Sequence, residues 1–130
     1  MKLYEDFTQE QLIEEVRRLA IAANTIRTTQ FEPPAPMSRN CVVWEAIDDF
    51  YEIERRIPEY EERYAVTDDA AYIETYWKNP IDRERYPTVE SYVCAKLRYG
   101  VMNVVSSYNA LVRANIEQTK KLVKTCKHVA

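Results

Sequence analysis

Two groups of side chains have residue types and spacing that could do chemistry: carboxylates crowded between residues 45 and 62, and tyrosines interleaved with cations between 60 and 99. The first group is Glu45, Asp48, Asp49, Glu52, Glu54, Glu59, Glu61 and Glu62. All-α nucleotide pyrophosphatases use acid-rich helices of this kind to hold Mg²⁺ with hard carboxylate oxygens. Glu52, Glu54, Glu59, Glu61 and Glu62 could hold such an ion, yet these positions fall mostly off the apolar seam of their segment, and the seam supplies no second acidic cluster. Other catalytic apparatus is sparse. The single histidine, His128, lies in the last stretch of the helical pattern, so neither the Glu-x-x-His pairs of a di-iron bundle nor a Ser-His or Cys-His nucleophile is expected. P-loop, Rossmann and zinc motifs are absent from the sequence. Cys41, Cys94 and Cys126 contain no CxxC pair and read as reduced core or semi-core thiols. The expectation is a protein that is not an enzyme and uses no cofactor or metal.

The second group is Tyr60, Tyr64, Tyr72, Tyr76, Trp77, Tyr86, Tyr92 and Tyr99, with Arg63, Lys78, Arg83, Arg85 and Arg98 between them. Tyr and Arg concentrate at interfaces because they offer large contact area, few rotamers to freeze and polar tips. Tyr72, Tyr76, Trp77, Arg83, Arg85 and Tyr86 are the expected partner-binding residues. The plainer alternative is that these rings cap one end of a helical bundle, with arginines stacked on them.

Charge is unevenly distributed: residues 1–64 hold 8 Lys/Arg against 14 Asp/Glu, and residues 65–130 hold 10 against 7. The acidic pole gives an alternative surface, Glu52, Glu59, Glu61 and Glu62, that could enter a basic groove of a partner. The basic pole, Lys120, Lys121, Lys124 and Lys127, is the alternative nucleic-acid surface, weakened by its small size and the net charge of −3. Those lysines also complement a helix C-terminus without any ligand.

These residues must be positioned by helices. Thr8-Gln9-Glu10-Gln11 is a capping-box pattern, followed by Leu12, Val16, Leu19, Ala23 and Ile26 at steps of three and four. A Pro-rich connector at 30–37 follows. A second helix is expected from 38 or 40 to 57, with Val43, Ile47, Phe50 and Ile57 inward, and Pro58 ending or kinking it. Thr67 reads as the N-cap of a short Tyr-rich helix that stops before Pro80, and 81–87 reads as loop. From Thr88 the apolar positions Val93, Leu97, Val101, Val104, Tyr108 and Leu111 continue at helical spacing to Cys126, with Val105, Val112, Ile116 and Val123 on an adjacent stripe that would suit a homodimer. Unbroken, a helix over about 88–128 is about 60 Å long, more than a compact domain of this size spans, so it bends near Gly100 or Ser106-Ser107, or it projects.

The expected fold is all-α: a single domain over 1–130, a three- to four-helix bundle with a long C-terminal helix and a short Tyr-rich helix. No apolar run approaches the ~20 residues of a bilayer span, so cytoplasm, the organism's own or a host cell's, is the expected location, with no membrane partner. The function expected is a non-enzymatic protein-protein interaction module, a small inhibitor or adaptor of the kind phages carry, which occludes or bridges a protein partner.

Overall fold

The computed structural model describes residues 4–29, 39–76 and 80–129, without the side chains of 27–29, 39–41, 75, 76, 118 and 122–129. The Pro-rich connector at 30–37 and Trp77 therefore lie outside the described residues, as do the side chains of Cys41, Tyr76, Val123, Lys124, Cys126, Lys127 and His128. Five helices follow in order: α1 (Gln9–Thr29), α2 (Arg39–Arg55), α3 (Ile57–Ala65), α4 (Ala70–Tyr76) and α5 (Val89–Val129). The described residues contain no strand, and no helix among them is long and apolar enough to cross a membrane.

Helix α1 opens on the capping box read from the sequence: Gln11 N–H donates to Thr8 Oγ1 at 3.2 Å, and Thr8 N–H to Gln11 Oε1 at 2.9 Å. Thr88 and Ser91 build the same reciprocal pair at the start of α5, both bonds 3.1 Å. The two starts lie side by side, since Thr8, Val89 and Glu90 line one depression, so α1 and α5 run parallel. Helix α2 runs against them: Phe50 meets α5 at Gly100, and α3, further along the chain, places Tyr60 against Tyr92.

The core is the seam where α1, α2 and α5 meet. Leu12, Val16 and Ala23 face Val43, Ile47 and Phe50, with Leu97, Val101, Val104 and Leu111 closing the layer, all buried. Each large aliphatic or aromatic side chain buried this way contributes about 1.5–3 kcal/mol relative to exposure. Helix α2 ends at Arg55, two residues before the expected 57. Pro58 has no N–H to donate to residue 54, and its ring crowds that carbonyl, so the chain breaks at Arg56 and restarts with Pro58 in the first turn of α3.

Two expectations are corrected. Gly100 marks no break: α5 is continuous through it and through Ser106-Ser107. An added Cβ at Gly100 would meet Phe50 Cδ2 and Ile53 Cδ1 at 3.0 Å, so the glycine permits close approach of α2 and α5. Thr67 does not cap α4. It is fully buried, and its Oγ1 accepts the N–H of Ile81 at 2.5 Å. Asp69 is the cap, its Oδ1 accepting Ala71 N–H at 2.8 Å.

Burial along α5 stops at Leu111. Val112 and Asn115 are half-buried, Ile116 is exposed, and so are Glu117, Thr119, Lys120 and Lys121. Of the two outcomes foreseen for so long a helix, the described residues show the second, a helix that outruns its packed bundle.

Candidate functional site

The end of the bundle where α3, α5 and the 80–88 loop meet is built from tyrosines. Tyr92, on the first turn of α5, is the hub: its ring lies 6.3 Å from Tyr60, 5.9 Å from Tyr64 and 5.6 Å from Tyr86. Burial, with the Tyr72 and Tyr60 phenols close by, raises the Tyr92 pKa, so its hydroxyl stays protonated.

The loop is held by local polar bonds. Asp82 Oδ1 accepts the N–H groups of Glu84 at 3.0 Å and Arg85 at 3.3 Å, while the Asp82 carbonyl accepts Tyr86 N–H at 3.0 Å. Tyr64 then donates its hydroxyl to the Tyr86 carbonyl at 2.7 Å. Arg83 ties the other side, donating to the Tyr64 carbonyl at 2.8 Å and to Asp68 at 3.1 Å, with its guanidinium 4.4 Å above the Tyr64 ring. A turn at Tyr4–Phe7 folds onto α5, where Arg98 donates to the carbonyls of Tyr4 and Glu5 at 3.3 and 3.4 Å.

Between these parts lies a groove of about 910 Å³, lined by Glu5, Ile53, Tyr60, Arg85, Tyr86, Tyr92, Ala95, Lys96, Arg98, Tyr99 and Met102. Its rim carries exposed large side chains and cations. Tyr99 is 77% exposed and Met102 40%. Lys96 Nζ sits 5.4 Å from the Tyr92 ring and 5.7 Å from Tyr60, and the Arg85 guanidinium 5.3 Å from Tyr86. A smaller depression of about 400 Å³ continues from it past Arg85 and Arg98 toward Asp6, Ser91 and Glu90. Cys94 lines that continuation; burial pushes its thiol pKa up, as does nearby Glu90.

Of the six expected partner-binding residues, the structure brings Arg85 and Tyr86 to this groove. Tyr72 is buried and lines a separate small hollow rather than this groove. Arg83 stacks on Tyr64 and fastens the loop. The Tyr76 side chain and Trp77 lie outside the described residues. The patch read from the sequence therefore divides into an inward part and a groove. Lys96 and Met102 were missed; their signal was the run Tyr92, Lys96, Tyr99, Met102 at steps of four, three and three, beside the apolar seam of α5.

In the acidic alternative, Glu59 and Glu62 line one small hollow, and two of the four carboxylates are paired with arginines. Glu52 pairs with Arg55 at 2.6 Å and Arg56 at 3.4 Å, and the hydrogen bond from Arg55 holds its pKa low. Glu59 pairs with Arg63 at 2.7 Å, Glu62 lines a small hollow beside Tyr72, and Glu61 shares a separate depression with Glu10 and Glu90. Among the described residues no three His, Cys, Asp or Glu side chains come together to hold a metal ion. Lys120 and Lys121 are exposed on α5. Set beside known proteins, the chain matches no family model, no curated protein and no solved structure.

Proposed function

We propose that this chain is a non-catalytic binding protein that engages a protein partner through the groove of Tyr60, Arg85, Lys96, Tyr99 and Met102, in the manner of a small inhibitor or adaptor. The observation that carries this reading is Tyr99, which is 77% exposed at the rim of a groove otherwise floored by rings and flanked by cations. An exposed tyrosine beside methionine and arginine is the composition of an interface centre. The groove is carried on regular structure, with Lys96, Tyr99 and Met102 on one helix and Arg85 on a loop fixed by Asp82 and Tyr64. Little ordering is therefore required on binding, which favours affinity.

Affinity capture from a native lysate tests the reading. A defined protein should be recovered with the full chain after nuclease treatment, and Tyr99→Ala should abolish its recovery. Because Tyr99 is exposed, that variant keeps its fold. Capture that is indifferent to Tyr99→Ala and lost on Lys120→Glu with Lys121→Glu would move the working surface to the projecting part of α5.

A further inference from the structure

We propose that the segment of the partner taken by this groove is acidic, with an apolar or aromatic side chain seated on Tyr99 and Met102 and its carboxylates on Arg85, Lys96 and Arg98. This rests on the reading of the groove as a protein-binding surface and adds the chemistry of what it binds.

The cations of this chain differ in their partners. Arg17, Arg18, Arg55, Arg56, Arg63 and Arg83 each pair with a carboxylate at 3.4 Å or less. The three cations of the groove have no such partner among the described residues. Arg85 lies over Tyr86 and Lys96 beside Tyr60 and Tyr92, while Arg98 donates to two main-chain carbonyls. Ring faces and carbonyls orient a cation without cancelling its charge. Three positive charges thus converge on a groove with one lining carboxylate, Glu5, in a chain whose net charge is −3. An incoming carboxylate would take charge-assisted hydrogen bonds from the Lys96 ammonium and the Arg85 guanidinium, stronger than neutral ones. Ile53, Tyr99 and Met102 supply the apolar remainder.

A single-stranded nucleic acid would also use rings and cations. The continuation of the groove disfavours it, because Asp6 and Glu90 line the next depression and would repel the following phosphates. A peptide can place neutral or basic residues there.

The test uses the full chain and three fluorescent peptides of about 12 residues sharing a central Leu-Phe, flanked by Glu/Asp, by Lys/Arg or by Ser/Gly. By anisotropy the acidic peptide should bind about tenfold tighter than the other two at about 50 mM salt, and several-fold more weakly at about 300 mM. Arg85→Glu with Lys96→Glu, both at exposed positions, should reverse the order in favour of the basic peptide while circular dichroism stays unchanged. Equal affinities for the three peptides, an order that survives the charge reversal, or displacement of the acidic peptide by a stoichiometric thymidine oligonucleotide would each overturn the proposal. Failure here remains distinct from failure of the binding reading. A partner whose capture is lost with Tyr99→Ala but unaffected by the charge reversal leaves the groove standing and removes its acidic occupant; capture indifferent to Tyr99→Ala removes the groove itself.

Discussion

The seam of α1, α2 and α5 and the tyrosine end of the bundle solve the same problem in different ways. In the seam, Leu12, Val16, Val43, Ile47, Phe50, Leu97 and Val101 exclude water by shape alone. At the tyrosine end Tyr60, Tyr64 and Tyr92 are nearly as buried, yet their order also depends on a hydroxyl bond to the loop and on arginine and lysine over the rings. Aliphatic packing stores stability and leaves nothing at the surface. Tyrosine packing also buries large area, and in addition it presents polar tips and oriented cations at the rim, which is what recognition needs.

The largest effect should come from the seam. Leu12→Ala, at a fully buried position, is expected to cost about 3 kcal/mol in a urea melt and to leave groove affinity per folded molecule unchanged. A parallel loss of affinity would break the separation of the two regions. Thr67→Val removes the acceptor of a part-buried N–H and should cost about 1–2 kcal/mol, with the loss shared by the 80–88 loop and seen as faster amide exchange there.

Smaller effects sharpen the contrast. Gly100→Ala sets a helix-propensity gain of about 1 kcal/mol against overpacking on the fixed Phe50 ring, which costs about 1–3 kcal/mol; a net loss near 1 kcal/mol is expected, and a net gain would show that Phe50 can yield. Tyr64→Phe keeps the stacking and loses the bond to the Tyr86 carbonyl, for about 1 kcal/mol of stability. It should also weaken partner binding through Arg85 and Tyr86, although Tyr64 does not line the groove.

The smallest effect is on pH. The folded pKa values of Tyr92 and Cys94 are both raised by burial, so the fold favours their protonated forms. That stability is complete below the ordinary values of 10.0 and 9.0 and is lost as pH rises past them. Denaturation midpoints should begin to fall above pH 9, less steeply in Cys94→Ala. Glu52 has the opposite sign, its lowered pKa giving stability above 4.5 that is lost on acidification; as a fully exposed group it should change the melt very little.

Much of the architecture was legible because its signals are local. The Thr8–Gln11 and Thr88 caps, the three- and four-residue steps of the seams and the stop at Pro58 depend on neighbours within one or two helical turns. The mistaken assignments have the opposite character. Thr67 looks like a cap from its own surroundings, and only the return of the chain at Ile81 makes it a buried acceptor. Tyr72 and Tyr99 are the same residue type in the same aromatic window, yet one is 6% exposed and the other 77%.

The sequence by itself determined helix class, helix starts, the aliphatic seam and the concentration of tyrosine and arginine in one region, since these follow from backbone sterics and periodicity. Which tyrosines face inward, which cations find carboxylates and which remain beside rings, and that Gly100 serves contact between α2 and α5, were decided by the tertiary structure. The physical reason is range: a side chain's burial and its polar partners are set by residues as many as 94 positions away, as Arg98 on the carbonyls of Tyr4 and Glu5 shows, and no local pattern carries that information.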